Sequence, residues 1–279
     1  MLRLALTLLV MLCGACTQPA RACGASSACA VQDGEYRFLM PSRQSSLALA
    51  NTPVPGLLIF IHGHRATAAE MLAYTELVEA ARALNLVLVA PQGRGDTWST
   101  PGAPASSSIG QSRDEAAFIR RVLDDLAGRV TYDSRRVVLS GFSQGASVVW
   151  HVACAGEPRV GLYLPIAGVW WQPMPQTCAG PPVKLLHIHG MADRVMPMTG
   201  RRLRDTWQQG DVKEAIRRMS AHNQCSGAPL TQASAPLTCT LASGCTEGAS
   251  LSLCLHEGDH HTDPRWFTLL RSQIEGALR

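Results

Sequence analysis

Residues 136–150 read Arg-Val-Val-Leu-Ser-Gly-Phe-Ser-Gln-Gly-Ala-Ser-Val-Val-Trp, and the turn in their middle decides the fold. The stretch 136–139 has the β-branched, apolar character of a buried strand, and 146–153 is an apolar helical run. Between them, Gly141-Phe142-Ser143-Gln144-Gly145 has G-x-S-x-G spacing. Glycines flank the serine in such a motif because the strand-to-helix turn is too tight for side chains at those positions. The five-residue pattern also arises as an ordinary glycine-rich turn. The strand before it and the helix after it mark it as a turn built to expose a serine hydroxyl.

On both sides of that turn, short apolar runs alternate with helical patterns, the mark of a mainly parallel sheet covered by helices on both faces. Residues 36–40 read as an early edge strand and 57–61 as a continuous apolar strand of the buried, parallel type. A helix is expected over about 67–84, then a strand at 86–90 stopped by Pro91. Residues 93–111 are rich in Gly, Ser, Pro and Thr and form a long loop, and 114–127 carry an amphipathic helical face. Further strands are expected at 162–166, 184–189 and 251–256, with helices around 200–208 and from Pro264 onward. The connection from 166 to 184 is too short for a large lid. Residues 225–245 show little periodicity and read as a disulfide-tied excursion.

A serine hydroxyl is a weak nucleophile and needs a base, an acid that orients the base, and donors for a developing oxyanion. Asp193 stands just beyond the strand ending His187-Ile188-His189-Gly190, so it is the candidate acid, an exposed loop aspartate being the plainer reading. His260, in Gly258-Asp259-His260-His261 after the last strand, is the candidate base, with His261 an open alternative. The chain order is then Ser, Asp, His. Phe60-Ile61-His62-Gly63-His64 ends a strand, and the backbone N–H groups of His64 and Gln144 are the candidate oxyanion donors. His62 itself reads as a packed residue. Trp98, Trp170 and Trp171 are candidates to line a substrate pocket, with core packing the alternative for each. His187, His189, Asp193, His260 and His261 are also metal-capable types, but a triad needs no metal, so no metal and no cofactor is expected.

The chain opens with Arg3, an apolar run at 4–12 and Ala20-Arg21-Ala22, which reads as a signal peptide over 1–22, followed by one domain over 23–279. The apolar run is too short to span a bilayer. Cys16 leaves a lipid anchor open, although Cys13 at the third position before it fits that pattern poorly. Removal of 1–22 takes two of the ten cysteines and leaves an even set, as expected for disulfides in an exported chain. Spacing favours Cys23 with Cys29 and Cys154 with Cys178, leaving Cys225, Cys239, Cys245 and Cys254 as a cluster of their own. A formal net charge of +4, two of it lost with Arg3 and Arg21, gives no electrostatic case for nucleic acid.

With these residues in view, the chain resembles secreted α/β-hydrolases of the polyhydroxyalkanoate (polyhydroxybutyrate) depolymerase-like and feruloyl esterase-like family. The resemblance rests on Phe60-Ile61-His62-Gly63, Ala90-Pro91-Gln92-Gly93 with Trp98, Asp114 to Ile119, Asp133 to Val137, Gly141 to Gly145, His189-Gly190 with Asp193, and Cys254 to His260. It implies an α/β-hydrolase fold and a secreted or periplasmic serine esterase in which Ser143, Asp193 and His260 are nucleophile, acid and base. The spacing from His260 to Trp266 supports the first of the two histidines. Ser-Gln-Gly where many members have Ser-Asn-Gly, and Asp259 where a second glycine is usual, bear on substrate rather than on the triad. Depolymerases of solid polymer carry a linker and binding module, so soluble hydroxyalkanoate oligomers or feruloyl-type esters are the expected substrates. Acyl transfer by the same residues, and a catalytically silent binding protein, are the competing functions. Oligomeric state is not legible.

Overall fold

The apolar runs become strands of a sheet whose middle is buried on both faces. The computed structural model describes residues 23–41, 53–104, 112–204 and 206–279; the expected signal peptide and Cys16 lie outside them. In chain order the strands are β1 (Cys29–Val31), β2 (Gly34–Leu39), β3 (Gly56–Ile61), β4 (Leu86–Pro91), β5 (Val137–Phe142), β6 (Leu162–Ile166), β7 (Lys184–Gly190), β8 (Arg202–Leu203), β9 (Trp207–Gln208), β10 (Gly227–Ser234), β11 (Leu237–Ser243) and β12 (Ser250–His256). The helices are α1 (Ala68–Ala73), α2 (Thr75–Ala83), α3 (Glu115–Ala127), α4 (Gln144–Ala155), α5 (Val212–His222), α6 (Arg265–Leu269) and α7 (Arg271–Ala277). Among the described residues the main sheet has ten strands in the order β1-β2-β4-β3-β5-β6-β7-β12-β11-β10, with β8 and β9 paired apart from it. From β4 to β12 every neighbouring pair is parallel, and the strands at each flank are antiparallel.

Side-chain alternation along each strand sorts the core into two layers. Leu57, Ile59 and Ile61 of β3, with Val137 and Leu139 of β5, pack under α3, α4 and α5. Leu58, Phe60, Val138, Leu164 and Ile188 face the other way, under α2, α6 and α7. This is the α/β-hydrolase architecture, and all the parallel strands present their C-terminal ends at one edge. The connection from β6 to β7 holds turns and an isolated bridge at Trp171 but no helix.

Several elements differ from the sequence reading. Strand β2 is not the edge: β1, only three residues long, pairs outside it. The helix expected over 67–84 is broken at Tyr74, whose extended backbone (φ −74°, ψ 97°) ends α1 and starts α2. The break turns Leu77, Val78, Ala80 and Ala81 onto the sheet, whereas α1, held by a Thr67–Glu70 capping box, buries only Ala68. In place of a helix around 200–208 there is the small β8–β9 ribbon, where Leu203 and Trp207 face one another and pack on Trp171 and Met196. The helix comes later, as α5, with Asp211 accepting the Glu214 N–H at its cap. The stretch read as an excursion is the β10–β11 hairpin, which extends the sheet.

Four disulfides form: Cys23–Cys29, Cys154–Cys178, Cys225–Cys245 and Cys239–Cys254. The first two are the pairs that spacing favoured, and the last four cysteines pair among themselves. Cys225–Cys245 closes the base of the hairpin, and Cys239–Cys254 joins β11 to β12. Among the described residues no helix is long and apolar enough to cross a membrane.

Candidate active site

At the end of β5 the chain reverses into α4 within one residue. Ser143 sits there at φ 57°, ψ −119°, a conformation costly for a side-chain-bearing residue and held by its surroundings. The Ser143 N–H donates to the Ile166 carbonyl (2.9 Å). Packing explains both flanking glycines. A Cβ on Gly145 would lie 2.2 Å from the Ile61 carbonyl oxygen, and one on Gly141 would lie 2.8 Å from the Gly145 backbone. Strand β3 and the start of α4 thus approach closer than any side chain permits.

His260 and Asp193 reach this serine from neighbouring strand ends. His260 Nε2 is 2.9 Å from Ser143 Oγ, and His260 Nδ1 is 2.7 Å from Asp193 Oδ2. The Asp193 carboxylate is buried, whereas the His260 side chain keeps 14% of its surface. Asp193 Oδ1 accepts the N–H groups of Val195 and Met196, both at 2.8 Å. Burial pushes the Asp193 carboxyl up, but the hydrogen bonds from His260 and these two amides outweigh it and hold the group below the usual carboxylate range. A buried carboxylate accepting from Nδ1–H leaves Nε2 as the lone-pair nitrogen facing the serine. The loops bearing Asp193 and His260 are joined directly: Met191 N–H donates to the His256 carbonyl and Ala192 N–H to that of Gly258. Gly190 makes this approach possible, since a Cβ there would lie 2.5 Å from two carbonyl oxygens of the His260 loop. The other histidine points elsewhere. His261 Nδ1 faces Asp259, and its ring packs on His256 and Trp266.

The end of β3 lies beside the serine: a Cβ on Gly63 would be 3.5 Å from Ser143 Cβ. His62 is buried and neutral, its imidazole pushed below the usual range chiefly by burial. Its Nε2 accepts the Gly93 N–H (3.0 Å), so its Nδ1 carries the proton and donates to the Gly63 carbonyl (2.8 Å). Because the Gly63–His64 peptide is planar, fixing that carbonyl also fixes the direction of the His64 N–H. The turns around them do not use the N–H of His64 or of Gln144.

The side chains of these two residues, absent from the sequence reading, are linked as well. Gln144 Nε2–H donates to the Trp98 carbonyl (3.0 Å), and its Oε1 accepts from Thr97 Oγ1 (2.7 Å). Thr97 Oγ1 in turn lies 3.3 Å from His64 Nδ1. Thr97 therefore bridges the end of β3 and the start of α4, the two segments that flank the serine. Its position inside a Gly- and Ser-rich loop gave no sign of this.

The three tryptophans are buried, none exposing more than 6% of its surface. Trp98 is 1% exposed; its indole N–H donates to the His62 carbonyl, and the Arg113 guanidinium lies over its ring. Trp170 is fully buried against Trp150, and Trp171 packs with Ala103 and Met196. Each is among the largest apolar surfaces in its loop, so each folds inward to bury it. The large apolar groups left in the open near Asp193 are Met191 (48% exposed) and Val195 (46%), and Phe142 lies against the His260 ring. Among the described residues no group of three or more His, Cys, Asp or Glu side chains is arranged to hold a metal ion.

A parallel sheet with a strained serine at a strand-to-helix turn, a histidine in hydrogen-bond contact with that serine and an aspartate in contact with the histidine, is the arrangement of the α/β-hydrolase class. The chain belongs to the alpha/beta hydrolase family, whose model matches residues 58–277. Among curated relatives, feruloyl esterase D of Neurospora crassa is 24% identical over 211 residues, covering 74% of this chain and 64% of that protein. The matched stretches span 42%, 64% and 22% of the first three curated relatives. An acetyl xylan esterase from Aspergillus awamori has the same fold at 14% identity (TM-score 0.58, covering 85% of this chain and 94% of that one). So does a phospholipase/carboxylesterase from Dyadobacter fermentans, also at 14% identity (TM-score 0.56, covering 89% and 100%).

Proposed function

We propose that the protein is an exported serine esterase that cleaves carboxylic esters through an acyl-enzyme on Ser143. The observation that carries this reading is the continuous contact from Ser143 Oγ through His260 to Asp193, at 2.9 and 2.7 Å. His260 Nε2 takes the hydroxyl proton as Ser143 Oγ attacks the ester carbonyl. The N–H groups of His64 and Gln144 receive the negative oxygen, where donors held in advance by His62 and Thr97 need no rearrangement. His260 then passes its proton to the departing alcohol, and water repeats the sequence to release the acid. Asp193 stabilises the imidazolium and keeps the proton-bearing nitrogen turned from the serine.

Feruloyl-type esters are the leading substrate class, supported by the Neurospora relative, with hydroxyalkanoate oligomers second. Exposed Met191 and Val195 offer apolar surface to the non-reacting part of either ester. Export is supported by the four disulfides, which persist in oxidising compartments.

The test is a fluorophosphonate probe with the adduct mapped by peptide mass spectrometry, alongside turnover of feruloyl, acetyl and hydroxyalkanoate esters. Labelling at Ser143 is expected in the parent and in His261→Ala, and none in Ser143→Ala, with strong loss in His260→Ala. A folded parent that neither labels nor turns over any ester refutes the reading.

A further inference from the structure

Strand β7 carries His187 and His189 two residues apart, so both side chains project from the same face of the sheet. Both are completely buried, and the mechanism above uses neither. Trp150 Nε1 is 3.3 Å from His187 Nδ1, His187 Nε2 is 3.0 Å from His189 Nδ1, and His189 Nε2 is 2.7 Å from the Met196 carbonyl oxygen. The same His189 Nε2 stands 3.7 Å from Asp193 Oδ2.

The direction of every bond in this chain follows from its first member. An indole N–H can only donate, so His187 Nδ1 must offer a lone pair. A neutral imidazole then carries its proton on Nε2, which donates to His189 Nδ1. His189 in turn carries its proton on Nε2, aimed at the Met196 carbonyl with the Asp193 carboxylate close by. Burial drives both imidazoles below the usual histidine range; for His187 mutual repulsion with His189 if charged adds to it, and the nearby Pro165 carbonyl opposes it without reversing it. An extra proton on either ring would set donor against donor.

We propose that Trp150, His187 and His189 form a one-way donor chain that positions the catalytic acid, with His189 as the residue that holds the Asp193 loop. Met196 is gripped from both sides: its N–H donates to Asp193 Oδ1, and its carbonyl accepts from His189. Residues 193–196 are thereby closed into a ring of hydrogen bonds anchored on β7. His189 also presents a neutral N–H, not a cation, beside Asp193, so the full negative charge of the carboxylate remains for His260.

The positioning role rests on the triad reading, and the tautomers do not, so the two are tested separately. In the full chain with isotope-labelled histidine, long-range proton–nitrogen spectra are expected to show the Nε2–H tautomer at both His187 and His189. Trp150→Phe should release that preference at His187. The Nδ1–H tautomer at either position in the parent overturns the proposal, whatever the activity. His189→Leu should lower kcat about tenfold or more with little change in KM, because small misplacements of a catalytic group cost rate rather than binding. His189→Gln, whose amide N–H can still face Met196, should recover most of it. The His260 Nδ1–H resonance should weaken in His189→Leu and persist in His189→Gln, a readout that needs no turnover. If the leucine and glutamine variants match the parent in this resonance, or lose it equally, His189 does not position the acid.

Discussion

Gly168 makes no hydrogen bond to Ser143, His260 or Asp193, yet its replacement by alanine should disable the esterase activity proposed above. It follows β6 and runs so close behind Ser143 that a Cβ there would lie 2.0 Å from the Ser143 carbonyl oxygen and 3.0 Å from Ala146 Cβ. A carbon and a carbonyl oxygen settle at about 3.3 Å or more, so more than about 1 Å must be found. Both obstacles are on the turn or helix that carries the serine, and no flexible side chain can give way. The Ser143 carbonyl also accepts the Ser147 N–H, and the Ser143 N–H is tied to Ile166, so relief moves the serine itself. A displacement of about 1 Å in a reacting group costs on the order of a hundredfold in rate. Overpacking at such a site costs about 1–3 kcal/mol, or roughly 2–10 °C in Tm for a domain of this size. Steady-state kinetics on p-nitrophenyl butyrate with calorimetry on the same samples separates the two effects. Gly168→Ala with kcat within about threefold of the parent would refute the argument that this contact sets the serine's position.

Asp193→Asn should keep the Val195 and Met196 N–H bonds on its remaining oxygen and so fold normally, but its amide would face His260 Nδ1 and force the proton onto Nε2. A fall in kcat of about 10³–10⁴-fold with Tm within a few degrees is expected, read from kinetics and melting together. Replacing both Cys239 and Cys254 by alanine opens a link with a sequence separation of 15 and should cost about 3 kcal/mol, seen as a drop in denaturation midpoint. Acid should destabilise the fold before it protonates the carboxylates. Burial lowers His151 to about 4, so below about pH 6.5 the unfolded chain takes up a proton that the folded chain refuses. His256 is also lowered to about 4, by burial and the neighbouring His261. Stability is therefore complete above about pH 6.5 and falls down to about pH 4, by roughly 3 kcal/mol for His151 alone. A Tm that stays flat from pH 7 to pH 5 counts against this.

The residues whose chemistry is local were legible in the sequence. Gly141 and Gly145 announce the elbow because the turn itself requires them, and strands such as β3 and β4, buried on both faces, declare themselves by unbroken apolar runs. Asp193 and His260, singled out by strand ends and chain order, are brought into contact with one another and with Ser143 through His260. What could not be read depends on partners distant in sequence. Trp98 looked available in a polar loop, but its destination is the His62 carbonyl. Residues 200–208 have ordinary helix formers, and the ribbon wins because Leu203 and Trp207 meet Trp171 and Met196. Strand β10 is exposed along nearly all its length, so it has no apolar alternation to read; only its pairing with β11 makes it a strand. Helix α5 does carry a local signal: Val212, Ala215, Ile216 and Met219 follow helical spacing behind an Asp211 cap.

The outermost strand has a bearing on colloidal behaviour. An edge strand offers unpaired amides and carbonyls to which another chain can add, the usual beginning of strand-mediated aggregation. Here β10 runs Gly-Ala-Pro-Leu-Thr-Gln-Ala-Ser, and its pairing slips between Gly227 and Leu230. Pro229 falls within that slip and has no N–H to offer, and the irregularity spoils the regular spacing that an incoming strand would have to match. Leu230, 63% exposed, is the largest apolar group the rim shows, and it stands directly next to that proline. The sheet thus ends in a strand that can complete its own hairpin but is a poor template for a foreign one.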